Sequence, residues 1–153
     1  MDTQFIDAVG LFAMIAGFVI GLGSVIVIDI HGFLGRKSHY WTEATTRTHK
    51  VTKPMIWVGI FLLTIGALVV YRSNYFNGIP FYHFLITLAL IANGFFLSFK
   101  VSPYMLNREK EGRQAELFPK EWQAKIALGL IVSDLGWWSL IGMFVYYLAY
   151  LRT

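Results

Sequence analysis

The sequence contains no cysteine, and only 14% of its residues are Asp, Glu, Lys or Arg. The lack of cysteine excludes disulfide bonds, thiolate metal sites, iron–sulfur clusters and covalently attached c-type haem. The charged fraction is far below the ~25% of an ordinary soluble domain, whereas 56% of the residues are hydrophobic. Water is therefore not the solvent for most of the surface of this protein.

Four long apolar runs account for this composition. Each has about the ~20 residues that a helix rising 1.5 Å per residue needs to cross a ~30 Å hydrocarbon core. Backbone groups in lipid must be satisfied within their own segment, so runs without alternating polarity predict helices. The sequence thus predicts an all-α transmembrane four-helix bundle and a single domain over residues 1–153, with spans at about residues 8–30, 51–71, 81–99 and 126–148.

Basic residues are concentrated in two of the connections between these spans. Eleven of the thirteen lysines and arginines are assigned to the connections between the first two spans and between the last two, counting Lys53 at the start of the second span, which leaves Arg72 and Arg152 on the other side. The positive-inside rule therefore predicts that both termini are outside and both basic loops are cytoplasmic, as in a bacterial inner membrane. Since topology accounts for the net charge of +4, we expect the lipid bilayer as a partner and no nucleic acid.

Small residues recur about every seven positions along each span. Gly10, Gly17 and Ser24 lie on one face of the first span, and Gly59 and Gly66 lie on one face of the second. Helices in lipid associate through close backbone packing at small residues, because lipid tails are as apolar as leucine. These stripes predict helix contacts within the bundle. A stripe that faces outward would instead serve a homo-oligomer or a larger membrane complex.

The fourth span contains a carboxyl group, Asp134, only ~5 Å from its middle when helix rise is counted. A charge at this depth costs several kcal/mol, so we expect the side chain to face the bundle. Asn93 lies at a similar depth in the third span, and a contact between the two would satisfy both groups and favour a neutral carboxyl. This pair is either a hydrogen-bonded clamp between helices or part of a proton or ion pathway.

Two tryptophans, Trp137 and Trp138, follow Asp134 by three and four residues and so lie on its face of the helix. Indole rings in the middle of a membrane either fill the core or form the wall of a site for a flat ligand. One indole N–H can also donate to the carboxyl group. We group both rings with Asp134 and Asn93 as intramembrane residues, and we expect them to fill the core.

Histidines form the second candidate site. His31 and His49 lie at comparable depths near the predicted cytoplasmic edge of the first two spans, where two imidazoles can ligate haem b or a divalent metal. Asp29 adds a third metal ligand only if the helix unwinds near Gly32, because it lies ~200° around the helix from His31. The alternative is an interfacial pair bonded to headgroups, water or carbonyls. We expect His83, at the opposite end, to cap a helix.

The stretch Val25–Gly32, together with Thr46–His49 and Ile56–Gly59, resembles segments of small bacterial four-helix membrane proteins. More remotely, the layout is similar to that of the CopD-like and HemJ-like proteins, which are linked to copper handling and haem synthesis. Those groups have a histidine near the start of the first span, where this chain has Gly10 and Phe12. No site residue is therefore transferred from them.

The sequence has no phosphate-binding glycine loop and neither an HExxH nor a GxSxG motif. It therefore favours a binding or accessory protein over an enzyme. Three functions stay open: a haem b or divalent-metal module built on His31 and His49, a proton or ion pathway through Asp134 and Asn93, and a structural subunit of a larger membrane complex.

Overall fold

The computed structural model describes residues 3–73 and 75–151. Within these ranges the chain forms no strand and has the helices α1 (Thr3–Gly35), α2 (His39–Val70), α3 (Gly78–Phe96), α4 (Ser102–Lys110) and α5 (Lys120–Tyr150), with a π-helical segment (Leu97–Val101) that joins α3 to α4. Arg152, one of the two basic residues that the sequence places outside, lies outside the described residues.

Four stretches are long and apolar enough to cross a membrane: α1, α2, the continuous stretch Gly78–Lys110, and α5. This confirms the all-α transmembrane four-helix bundle. The helices are longer than the predicted spans, since α1 has 33 residues and so measures about 50 Å at 1.5 Å per residue. Their ends therefore extend past a ~30 Å hydrocarbon core, while the orientation of the termini stays a prediction.

The two ends of the bundle differ in charge. Residues 36–38 and 111–119 connect helices at one end, which we call the basic end. The start of α1, the end of α5 and residues 71–73 and 75–77 lie at the other, the terminal end. At the basic end the guanidinium group of Arg108, only 6% exposed, donates to the carbonyl oxygen of Glu116 at 2.8 Å and to the Tyr104 hydroxyl at 3.2 Å. Arg108 thereby holds the connection between α4 and α5 against the helices.

Helices α1 and α2 meet through their glycines. A Cβ atom on Gly17 would lie 2.6 Å from the backbone nitrogen of Leu63 and 2.8 Å from the carbonyl oxygen of Gly59, and one on Gly66 would lie 2.6 Å from the backbone nitrogen of Met14. These neighbours are backbone atoms, which move only if the two helices separate. The small-residue stripes of the first two spans are therefore buried against each other, as predicted.

The middle of the bundle is apolar. Trp137, Leu63 and Leu140 are 0% exposed, and the Trp137 indole lies edge-on to Phe18 with ring centroids 6.3 Å apart. Together with Leu22 these side chains form part of one buried cluster, which we call the apolar plug. The order of residues along α1, α2 and α5 places the plug between the polar groups of the two ends.

Candidate functional site

Polar side chains from several helices line one cavity in the basic half of the bundle, which we call the inner cavity. Its volume is about 80 Å³, and most of its wall is apolar. A buried water needs only ~10–15 Å³ of such space, so the cavity can hold a few water molecules. Its polar lining residues are Asp29, Thr45, His49, Lys53, Trp57, Ser98 and Ser133.

The π-helical segment shapes one wall of this cavity. The ammonium group of Lys53 donates to the carbonyl oxygen of Ser98 at 3.4 Å and to the hydroxyl of Ser102 at 3.3 Å, and the Trp57 indole N–H donates to the Ser98 hydroxyl at 3.1 Å. Lys53, which the charge pattern assigned to a loop, is thus a half-buried residue of the bundle. π-Helical turns are rare and are frequent at functional sites.

Asp29 lies on the wall between the inner cavity and a second, larger one of about 360 Å³, which we call the side cavity. Its Oδ1 atom is buried and has no hydrogen-bond partner among the described residues. Asp134, half-buried, lines the side cavity together with Asp29. Asp29 of α1 and Asp134 of α5 therefore lie on the wall of one cavity, and we call them the carboxyl pair; neither depth nor spacing in the sequence identified it.

His49 lines the inner cavity from α2, beside Lys53. Its Nε2 atom is buried and, within the described part of the chain, has no partner. An imidazole and a carboxyl group thus share one small cavity, and each keeps an atom that no described residue satisfies. Buried polar groups of this kind are normally bonded to something, so the cavity is suited to water or to an exchangeable proton.

The structure does not bring His31 into this site. The His31 ring lies against Trp41, with ring centroids 5.2 Å apart, and does not line the inner cavity. Because α1 stays helical as far as Gly35, the unwinding needed to bring Asp29 and His31 together is missing. Over residues 3–73 and 75–151, no three His, Asp or Glu side chains come together to hold a metal ion, so the predicted three-ligand set of His31, His49 and Asp29 is not formed.

The structure gives Asn93 a hydrogen-bond partner other than Asp134. The Asn93 side-chain amide donates to the carbonyl oxygen of Gly129 at 2.8 Å, whereas Asp134 has no hydrogen bond to any described residue. The absence of a side chain at Gly129 lets α3 approach α5 closely enough for this bond. The clamp between the third and fourth spans exists, but its acceptor is a backbone carbonyl.

Because Asn93 has a hydrogen bond to another helix and Asp134 has none to any described residue, substitutions at the two positions should differ in their effect on stability. We expect Asn93→Leu to lower stability by about 0.6–1.7 kcal/mol, since that is the usual value of a hydrogen bond between membrane helices. Asp134→Leu removes no such bond and is expected to be neutral or stabilising. Unfolding of both variants in detergent tests this, and a larger loss for Asp134→Leu than for Asn93→Leu would contradict it.

The two tryptophans after Asp134 separate. Trp137 is 0% exposed and belongs to the apolar plug, whereas Trp138 is 54% exposed on the lipid-facing side of α5. Neither indole donates to the Asp134 carboxyl in the described structure. Trp137 therefore fills the core, as expected, whereas Trp138 faces outward and does not.

His83 is not a helix cap, contrary to the prediction. It lies one turn inside α3, is 1% exposed, and its Nδ1 atom is 3.0 Å from the Tyr71 hydroxyl. The N-cap of α3 is Asn77. His83 is buried because its side of α3 faces the end of α2.

Sequence reasoning missed Lys53, Trp57 and Ser98 as site residues. A signal was present, because His49, Lys53 and Trp57 follow one another at intervals of four residues and so share one face of a helix.

The chain matches no protein-family model, no curated protein and no solved structure. The site is therefore interpreted from its own geometry: two carboxyl groups, an imidazole and an ammonium group around spaces that admit water.

Proposed function

We propose that this integral membrane protein provides a proton pathway at its basic end, with Asp29 as the central proton-binding group and Asp134 and His49 as its neighbours. The observation that supports this most is the buried, unpartnered Oδ1 atom of Asp29 on the wall shared by two cavities. Burying a carboxylate without a partner costs several kcal/mol, and ionisable residues inside membrane helices commonly mark proton or ion paths.

A proton suits these groups better than a metal ion does. Zinc takes four ligands and magnesium six, whereas the groups present are two carboxyls and one imidazole spread over two cavities. A proton needs only one lone pair to bind to and a chain of water molecules along which it can reach that lone pair. The inner cavity has room for such water, and the ammonium group of Lys53 supplies a countercharge.

The polar groups reach only part of the way through the bundle. Arg36 and Gln123, both at the basic end, form part of the wall of the side cavity, which connects the carboxyl pair to that end. Toward the terminal end the apolar plug follows directly after Ser133 and Asp134 along α5. This arrangement supports proton exchange with the aqueous phase at the basic end and only a slow passage past the plug.

Proton entry into vesicles tests this proposal. Purified protein is reconstituted with an entrapped pH-sensitive dye, and valinomycin with potassium clamps the membrane potential. We expect Asp29→Asn to lower the rate of proton entry at least about tenfold, because positioned acid–base groups accelerate proton transfer by that much or more. Glu121→Gln, at an exposed carboxylate paired with Lys125, is the matched control and should match the unsubstituted protein. Equal rates in Asp29→Asn and this control would refute the pathway.

We also propose that the basic end faces the cytoplasm of a bacterial cell, with both termini outside. The support is the concentration of lysine and arginine in the two connections at that end. Reporters inserted at residues 37 and 114, which lie between helices, should read inside, and a reporter at the C-terminus should read outside. A cytoplasmic C-terminus would overturn this orientation.

Haem b or a metal bound through His49 is the second candidate. Its support is that the buried His31 Nδ1 and His49 Nε2 atoms have no partner among the described residues, although the two rings do not share a cavity. The inner cavity, about 80 Å³, is far below the ~300 Å³ at which small-molecule sites begin, so haem requires the helices to separate. An absorption spectrum and metal analysis decide: a haem band or bound metal that is lost in His49→Ala would favour this candidate over the proton pathway.

A further inference from the structure

A third cavity lies at the terminal end, between the last turns of α2 and the first turns of α3, and we call it the terminal cavity. Its volume is about 330 Å³, which is within the range of small-molecule sites. Of the described residues that line it, only His83 has a side chain that can carry a charge near neutral pH. Leu68 and Phe84, which line it, are about half exposed on the lipid-facing surface, so the cavity is reached from the bilayer.

Nearly every polar group in this wall already has a partner. The hydroxyls of Thr64 and Thr87 donate to backbone carbonyl oxygens within their own helices, and the Tyr75 hydroxyl donates to the carbonyl oxygen of Leu68 at 2.6 Å. The Tyr71 hydroxyl pairs with Nδ1 of His83. The exception is the Nε2 atom of His83, which is buried and has no partner in the described structure.

The chemistry of this pair indicates what the free nitrogen offers. A phenol donates its hydrogen to a neutral imidazole more readily than it accepts one, so we assign the Tyr71 hydroxyl as the donor to Nδ1. Nε2 then carries the imidazole hydrogen and is a donor without an acceptor. A buried donor that lacks an acceptor is unfavourable, and a ligand oxygen would satisfy it.

The remaining wall determines the shape of the ligand. Aromatic rings of Tyr71, Tyr75, Phe76 and Phe84 line the cavity, and such rings favour stacked or edge-on contact with another flat ring. A neutral, flat, lipid-soluble ring that bears a carbonyl oxygen fits both the walls and the donor. We propose that the terminal cavity binds the ring of a quinone, with one quinone carbonyl oxygen accepting a hydrogen bond from Nε2 of His83. This site is independent of the proton pathway at the basic end.

Nitrogen NMR of histidine-labelled protein tests the proposal directly. The protein is placed in nanodiscs made of ether-linked lipids, which have no ester carbonyl, and decylubiquinone is the probe. The chain has four histidines, and the signal missing from His83→Gln identifies His83. We expect decylubiquinone to shift the His83 Nε2 signal in a saturable way. No shift at saturating probe would overturn the proposal, as would a His83 signal that responds only when ester-linked lipids replace ether-linked ones, which would assign the donor to a lipid carbonyl.

Variants at His83 separate the hydrogen bond from packing. His83→Phe keeps a ring but has no donor, and it should bind decylubiquinone about five- to tenfold more weakly, as the loss of one neutral hydrogen bond implies. His83→Gln keeps an N–H group and should retain most of the affinity. Equal affinity in His83→Phe and the unsubstituted protein would contradict the proposal. If His83→Phe does not fold, the NMR result on the unsubstituted protein still decides.

Discussion

Alanine in place of Gly17 or Gly59 is expected to push α1 away from α2 and to destabilise the bundle strongly. A Cβ atom on Gly17 would lie 2.6 Å from the backbone nitrogen of Leu63, and one on Gly59 would collide with the backbone of Gly21. Overpacking usually costs about 1–3 kcal/mol when side chains can rearrange. Here the obstacle is backbone, so we expect a loss at or above the top of that range.

Two other glycines provide the control for this prediction. A Cβ atom on Gly23 or Gly142 would meet nothing within 4 Å, so alanine at either position should leave stability unchanged or raise it slightly through helix propensity. Unfolding of the four variants in mixed detergent micelles measures the difference. Similar stabilities for Gly17→Ala and Gly23→Ala would show that α1 and α2 do not pack as described.

Removal of the Trp137 side chain is expected to have the second large effect. Trp137 is 0% exposed in the apolar plug, and truncation of a buried tryptophan to alanine commonly costs about 3–5 kcal/mol. The space left would also connect the inner cavity toward the terminal end. We therefore expect Trp137→Ala to lower the unfolding midpoint strongly and to raise the rate of proton entry into vesicles.

The neighbouring tryptophan is a matched control for both effects. Trp138 is 54% exposed on the outer side of α5, so Trp138→Ala removes an indole of the same size without opening the plug. The double variant Trp137→Ala with Asp29→Asn should lose the extra proton entry. If protons enter vesicles as fast with the double variant as with Trp137→Ala alone, their path does not include Asp29.

The fold was predictable because its determinants are local in the sequence. The length and apolarity of each run specify a membrane helix, and a glycine every seven residues, as at Gly10 and Gly17 or at Gly59 and Gly66, specifies which face packs closely. The structure places these glycines between α1 and α2. No long-range information was needed for these predictions.

The site was predictable only in part, because depth in the membrane does not determine which way a side chain faces around its helix. Asp134 and Asn93 have similar depths, yet Asn93 bonds to the Gly129 carbonyl and Asp134 lines the side cavity with Asp29. His31 and His49 also match in depth, but only His49 lines the inner cavity. Such pairings depend on how the helices are rotated against each other.

The π-helical segment adds a further reason. It inserts extra residues into the turn at Leu97–Val101, which changes the faces presented by residues on either side. Ser98 thereby receives hydrogen bonds from both Lys53 and Trp57. Nothing in the sequence marks this segment as different from the α-helix before it.

Infrared difference spectroscopy can show whether Asp29 is the buried group that takes up the proton. Acidification converts carboxylates to carboxylic acids, and an acid in an apolar, weakly hydrogen-bonded site gives a carbonyl-stretching band separate from that of surface groups. We expect such a band in the unsubstituted protein and in Glu121→Gln, and its loss in Asp29→Asn. An identical band in Asp29→Asn, or spectra that contain only surface-type carboxyl bands, would contradict the assignment of Asp29 as the buried proton-binding group.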